Sequence, residues 1–316
     1  MRRVLIIAGC AVLAFLAVQS CEKGDPGPSA PQLSTIHVNQ EKIGLGQQIV
    51  LTVEDTIPMH GSLYLIQPIW TVNGNQVLQD FTHYDFENGR GSYMCYYTPS
   101  AVGNMDVRLE VYMIFNDAPA GKAEQTVSAE RRLEVVKCDA RTSFWGDSVA
   151  VTMHREPGLV ASGNEGVYIG TGYSSILGVS SIMPSVNLVY TFEPQADSLV
   201  MISENFAASA DRTDGYRYVA SLFDFALKTL ETEYVGTSNR KVIASTEDSQ
   251  YLNAANKFAG AGTLTDEELA YLGEGMVKGL VRIEATMSSS TTDVVFTTEA
   301  APDSNCAYIV LTYSAK

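Results

Sequence analysis

Basic residues are scarce in this chain of 316: 21 lysines and arginines stand against 36 aspartates and glutamates, for a formal net charge of −15. A surface of that sign repels phosphate backbones and anionic head groups. Nucleic acid is therefore excluded as a partner, and so is membrane contact through a basic patch. Histidine is scarcer still. His37, His60, His83 and His154 lie far apart, and none has the i, i+4 partner that sets two imidazoles on one helix face around a metal. No CxxC or Cys/His spacing is present either, so neither a metal site nor a cofactor is expected. The segment Gly172-Tyr173-Ser174-Ser175-Ile176 begins like a nucleophile elbow but lacks the closing glycine, and the strained strand-to-helix turn goes unsupported. Asp211-Arg212-Thr213-Asp214-Gly215 lacks the alternating ligands and distal glutamate of an EF-hand and reads as a helix entry. Carboxylates are too many to single out a catalytic pair. Glu193, Glu204, Asp211, Asp214 and Asp224 could each contribute to glycosidase-type chemistry, but spacing does not choose among them. No catalytic residue is assigned.

What the chain does have begins at its first residue. Arg2 and Arg3 open a basic segment, an apolar run follows from Val4 to Val18, and Gln19-Ser20-Cys21 closes it. The run falls short of the roughly 18–20 apolar residues that span a bilayer, which makes it a secretory signal. With its terminal cysteine it resembles the lipobox of bacterial lipoproteins. The box departs from the pattern, with Val18 for leucine and Ser20 for alanine or glycine. Ile7-Ala8-Gly9-Cys10 fits better, but only Val4 to Ile7 precede it, too few for the apolar region of a signal. The resemblance implies cleavage before Cys21, a lipid on Cys21, and a mature protein tethered to a membrane in the cell envelope. The outer membrane is the expected address, on its periplasmic side or at the cell surface. An ordinary signal peptide that leaves Cys21 free is the alternative. Loss of residues 1–20 removes Arg2 and Arg3 and takes the charge from −15 to −17. Residues 21–34 carry Gly24, Pro26, Gly27, Pro28 and Pro31 and read as a flexible tether.

Hydrophobic residues at 46% with 18% charged describe a folded protein, and the length favours two domains. Over 35–137 the apolar period is two. Ile49, Leu51 and Val53 alternate with polar residues, as do Met105, Val107, Leu109, Val111 and Met113, which predicts half-buried strands. Asn73-Gly74 after Trp70-Thr71-Val72 predicts a two-residue hairpin turn. The stretches Pro68-Ile69-Trp70-Thr71-Val72-Asn73-Gly74 and Thr98-Pro99-Ser100-Ala101-Val102-Gly103-Asn104-Met105 resemble the tryptophan strand and the penultimate-strand entry of bacterial immunoglobulin-like or PKD-like modules. That resemblance implies an all-β immunoglobulin-like sandwich and says nothing about chemistry.

A different pattern starts near Cys138. Phe144-Trp145-Gly146-Asp147-Ser148 resembles an opening found in uncharacterised Bacteroidetes-type lipoproteins. Asp147 or Ser148 is placed to cap a short helix toward Glu156, with a strand as competitor because of Val149, Val151 and Thr152. Residues 162–185 are rich in glycine and serine and read as irregular. Two strands then follow, joined by Pro194-Gln195-Ala196-Asp197. Val219, Leu222, Phe223, Ala226, Leu230 and Tyr234 fall on one helix face, with Asp214 as its cap and Gly236 at its end. Thr265-Asp266-Glu267-Glu268 is a capping box, and three strands close the chain. Residues 139–316 are thus expected to form an α+β domain, an antiparallel sheet with helices on one face, giving a mixed fold class overall.

Of five cysteines, Cys10 leaves with the signal and Cys21 takes the lipid. Cys95, Cys138 and Cys306 remain; either Cys95 and Cys138 form a bridge or all three are buried thiols. Tyr93, Tyr96 and Tyr97 are the candidate binding residues, since exposed aromatics stack on sugars or anchor protein partners. Strand alternation puts Tyr93 and Tyr97 on one side and Tyr96 on the other, so at least one side is core. Trp70 and Trp145 are assigned to the core. The reading that follows is a non-catalytic, lipid-anchored envelope protein that binds a glycan or protein ligand. Two alternatives stand beside it: a fimbria-like assembly subunit, with Arg131-Arg132 as the processing point, and an envelope hydrolase with carboxylate catalysis. In bacteria fed labelled palmitate, the chain is expected to take up label and Cys21→Ala to take up none; label retained in the variant would remove the anchor.

Overall fold

The structure is a computed structural model, and it describes residues 32–56, 63–78, 80–85, 90–116, 123–176, 185–234 and 238–316. The signal segment, Cys21, most of the tether, His60 and Gly236 lie outside the described residues. The chain divides into two compact units, residues 1–137 and 138–316.

The first unit is made of strands: β1 (Gln32–Leu33), β2 (His37–Val38), β3 (Ile43–Gly44), β4 (Ile49–Thr56), β5 (Leu63–Val72), β6 (Asn75–Val77), β7 (Asp80–Asp85), β8 (Arg90–Tyr97), β9 (Gly103–Phe115) and β10 (Glu124–Val136). One sheet runs β1-β4-β8-β7, with β2 also on β4, and the other runs β3-β10-β9-β5-β6. Gln32 and Leu33 already pair with Thr56 and Asp55, so strand structure starts ahead of the expected end of the tether at residue 34. The tight turn between β5 and β6 has Asn73 at φ 50° and Gly74 at φ 78°. Both central residues take positive φ, as a hairpin matching the strand twist demands. Every second residue of β9 from Met105 to Phe115 is buried, and they share one core with Ile49, Leu51, Val53, Tyr93 and Trp70 from both sheets. Trp70 is 0% exposed.

The second unit contains α1 (Val149–Arg155), β11 (Val160–Ala161), β12 (Val167–Gly172), β13 (Val186–Glu193), β14 (Ser198–Ser209), α2 (Gly215–Glu233), β15 (Asn239–Ala244), α3 (Ser249–Ala259), α4 (Asp266–Val277), β16 (Val281–Ser288), β17 (Thr292–Ala301) and β18 (Cys306–Ala315). Its eight strands form one sheet in the order β11-β12-β13-β14-β18-β17-β16-β15, and each neighbouring pair is antiparallel. Alternate residues of β13, β14, β16, β17 and β18 join α2, α3 and α4 in one hydrophobic core, while the residues between them are half-buried or exposed. Phe223 of α2 stacks on Phe296 of β17 at 4.6 Å and lies 5.8 Å from Phe258 of α3.

The helix signals resolve case by case. Segment 149–155 is helical rather than extended, because the Ser148 side chain accepts from the Val151 N–H and settles the competition with β-branched residues. The Thr265–Glu268 capping box is formed at both bonds. Asp214, expected as a cap, makes no side-chain capping bond; its carboxylate pairs instead with Arg217 at 2.6 Å. Strand β12 occupies part of the segment expected to be irregular.

Two backbone features are tied to stability. At Gly273 on α4 a Cβ would lie 1.8 Å from the Tyr216 carbonyl oxygen of α2, a backbone atom that no side-chain rotation can move away. The end of α3 is a Schellman turn, with Gly262 N–H bonded to Lys257 O and Ala261 N–H to Phe258 O. Its left-handed position is filled by Ala261 at φ 56°, where glycine is the unstrained residue. In urea unfolding, Gly273→Ala is expected to lose about 3 kcal/mol or more. Ala261→Gly is expected to gain about 0.5–1 kcal/mol. Opposite signs would contradict the packing described.

Candidate functional site

The polar chemistry of the second unit gathers around one side chain. Ala140 and Ser143 bridge across a tight turn, with Ser143 N–H on Ala140 O at 2.9 Å, and Arg141 sits in that turn at φ 51°. The turn directs its guanidinium onto the helix-side face of the sheet. There Nε donates to Glu156 Oε1 and to Tyr190 Oη, both at 3.1 Å. Nη1 donates to Glu204 Oε1 and to the Tyr173 carbonyl, both at 2.9 Å. Glu204 is 0% exposed between Ile202 and Phe206 on β14 and also accepts the Ser175 N–H at 3.1 Å. An unpaired carboxylate there would be severely penalised, so the strand tolerates Glu204 only because Arg141 and Ser175 meet it. Burial alone would depress Arg141, but Glu204, Tyr190 and Glu156 together hold it well above the usual guanidinium range.

Three phenols share this end of the sheet. Burial pushes Tyr190, Tyr234 and Tyr313 far above the ordinary phenol value; Arg141 opposes the shift at Tyr190, and Glu204 adds to it at Tyr234 and Tyr313. Around them the segment that opens the unit is sewn down. Trp145 Nε1 donates to Thr292 Oγ1 at 2.9 Å, and Asp139 accepts from Thr291 Oγ1 at 2.6 Å and from the Trp145 N–H at 3.1 Å. Arg155 pairs with Asp147 and lies over the Phe144 ring at 5.6 Å. Trp145 is partly buried against the core.

The arrangement orients and neutralises, and it supplies no activated nucleophile. The Ser175 hydroxyl lies 2.9 Å from Tyr313 Oη, a phenol that burial keeps protonated, while Glu204 takes the Ser175 backbone N–H and not its hydroxyl. Four of the five carboxylates weighed from sequence have partners, Glu204 among them. Asp211 accepts from Asn305 Nδ2 at 2.6 Å, Asp214 pairs with Arg217, Asp224 pairs with Lys228 at 2.6 Å, and Glu193 is exposed in the β13–β14 hairpin. Arg141 brings Glu204 and Glu156 together, and Arg217 does the same for Asp214 and Asp266 at the surface. Among the described residues no group of three or more His, Cys, Asp or Glu is placed to hold a metal ion. No described helix is long and apolar enough to cross a membrane. Cys95, Cys138 and Cys306 are all buried and none is in a disulfide, so the bridge weighed from sequence is not made.

The candidate tyrosines of the first unit separate. Tyr93 is 0% exposed, and its hydroxyl donates to Asp55 Oδ2 at 2.6 Å. It is a core residue and cannot reach a ligand, which corrects its candidacy. Tyr97 packs half-buried against the same core. Tyr96 points outward and meets Phe81 of β7 edge to face at 5.7 Å. Phe81, 64% exposed, was not singled out by sequence, because an aromatic between Asp80 and Thr82 has the alternation of a core-facing position.

No family model matches the chain, and no curated protein matches it. Among solved structures it is distantly similar to a cycloalternan-forming enzyme from Listeria monocytogenes in complex with a pentasaccharide substrate, at 8% identity and TM-score 0.24 over 91% of this chain and 32% of that one. It is also distantly similar to Spo0M, a sporulation control protein from Bacillus subtilis, at 10% identity and TM-score 0.20 over 56% and 79%. A DUF4466 family protein from Parabacteroides merdae aligns at 10% identity and TM-score 0.24 over 91% and 99%. The chain thus spans about a third of the length of the Listeria enzyme. TM-scores this low carry no argument about fold or chemistry.

The phenols set a pH dependence. A folded value above the unfolded one, which is near 10, gives stability that is fully present below about pH 10 and lost as the pH climbs toward the folded value. The urea midpoint of the full chain is expected to fall above pH 10, and Tyr313→Phe to make that fall shallower. A midpoint unchanged to pH 11 would contradict the burial of these hydroxyls.

Proposed function

We propose that this chain is a lipid-anchored cell-envelope protein that binds or scaffolds and does not catalyse. Its first unit is read as an immunoglobulin-like sandwich held off the membrane by the tether, and its second as an α+β module. The observation that carries the non-catalytic reading is the pairing of the acids: Glu204 and Glu156 share the Arg141 guanidinium, and Asp211, Asp214 and Asp224 each have a partner of their own, while Glu193 stands exposed at the end of β13. A glycosidase requires one carboxyl free to protonate a leaving group and another free to attack or to activate water. The sandwich reading is supported by the strand orders β1-β4-β8-β7 and β3-β10-β9-β5-β6, which correspond to the two-sheet immunoglobulin arrangement, and by the buried tryptophan on its third main strand. The parallel pairing of β3 with the end of β10 is compatible with the same topology. Arg131 and Arg132 pair with Val107 and Asp106 in the body of β10, and processing there would have to break a central ladder; this weighs against the assembly-subunit reading.

Full chain purified in detergent and incubated with a panel of oligosaccharides is expected to leave each of them intact by chromatography. Product formation that disappears in both Glu204→Gln and Glu156→Gln would overturn the reading.

A further inference from the structure

Outward-facing positions of the first sheet combine into a surface that the fold of the unit does not require. On β8 the outward residues are Ser92, Met94 and Tyr96, since Tyr93 and Cys95 are 0% exposed and face the core. Register then sets Thr52 of β4 and Phe81 of β7 on either side of Met94, and Glu54 and His83 on either side of Ser92. Phe81 and Tyr96, at 90° to each other, make a corner, one ring as floor and the other as wall. Carboxylate, imidazole and hydroxyl groups stand one row away.

We propose that this corner binds a neutral glycan, one sugar ring resting its C–H face on Phe81 against Tyr96 while its hydroxyls meet Ser92 and His83 in the adjoining polar row. The proposal rests on the binding reading above and names its ligand class. Charge selects the class. The chain carries −15 overall, Glu54 adds a negative charge on β4, one row along and across β8 from Phe81, and Arg90 stands opposite Asp85 at the far end of the strand pair. A sulfated or uronic chain would meet repulsion from this charge. Size selects against a protein. A stable interface takes about 800 Å² from each partner, and a patch that large would extend over Glu54, Asp85 and Arg90, whereas stacking one sugar ring needs only the corner. The groups also match: an aromatic face receives the apolar side of the sugar, and adjacent donors and acceptors satisfy hydroxyls that would otherwise lose their hydrogen bonds to water.

The test is equilibrium binding of the full chain in detergent to arrays of neutral and acidic oligosaccharides, with folding of each variant checked by thermal unfolding. A neutral glycan should bind, and both Phe81→Ala and Phe81→Leu should weaken it by about three- to tenfold, a loss of the size that removing one aromatic stacking partner produces. Phe81→Leu keeps an apolar side chain against Tyr96 and so guards against a folding artefact. Phe225→Ala, at another exposed phenylalanine (53% exposed), should leave affinity unchanged. Neutral binding that survives both Phe81 variants would overturn this surface and leave the binding reading standing. Binding confined to acidic chains would overturn the ligand class, and no binding by folded wild-type protein would overturn the glycan proposal altogether. None of these outcomes resembles the oligosaccharide turnover that would overturn the non-catalytic reading.

Discussion

Arg141 stands where water cannot compensate it, with a side chain only 9% exposed, and the opening of the second unit is arranged around meeting its demand. Its guanidinium spends donors on Glu156, Tyr190, Glu204 and the Tyr173 carbonyl. In doing so it fixes the segment before α1, the strands β13 and β14, and the chain leaving β12. Each partner alone would be expensive in that position: Glu204 as an unpaired carboxylate inside a hydrophobic core, Arg141 as an unpaired cation. Together they form a polar knot that is its own solvent. A left-handed backbone at a non-glycine residue, φ 51° at Arg141, is the strain accepted to aim the side chain.

The rest of the unit follows from a sheet that buries one face. Alternate residues of five strands meet α2, α3 and α4, and α4 reaches the α2 backbone at a position without a side chain, Gly273 against Tyr216. The knot closes the end of this layer at which the chain enters the unit. Because the acids there are held by an arginine and a backbone N–H, the geometry favours rigidity over proton transfer. That is the physical link between fold and the binding role proposed. The first unit divides its tyrosines by the same logic: Tyr93 turns inward to satisfy Asp55, whose carboxyl burial pushes upward against its hydrogen bonds to Tyr93 and Gly91. Tyr96 turns outward to meet Phe81.

Much of this was legible from residue order, for local reasons. The β9 alternation, the Asn73-Gly74 turn and the Thr265 capping box are signals confined to a few neighbours, and each acts as its chemistry dictates. Helix α3 escaped notice because its buried residues are Ala254, Ala255 and Phe258, two of them too small to mark an apolar stripe. Strand β12 was hidden by Gly170 and Gly172, and short side chains are what its crowded neighbours allow: a Cβ at Gly170 would lie 2.9 Å from the Gly158 carbonyl. Asp214 shows the limit of capping rules, since Arg217 competes for its carboxylate. The Arg141 knot was not readable at all. Its members are spread over 64 residues of chain, from Arg141 to Glu204, and only the folded sheet brings them together.

A double-mutant cycle on Arg141 and Glu204, measured by urea unfolding of the full chain, tests the central claim most directly. Arg141→Met and Glu204→Leu should each lose about 3–5 kcal/mol by stranding the other's charge. The double variant should lose clearly less than the sum, because no stranded charge remains from the pair. Additive losses would contradict the account: the two groups would then act independently, and Glu204 would be free for some other task.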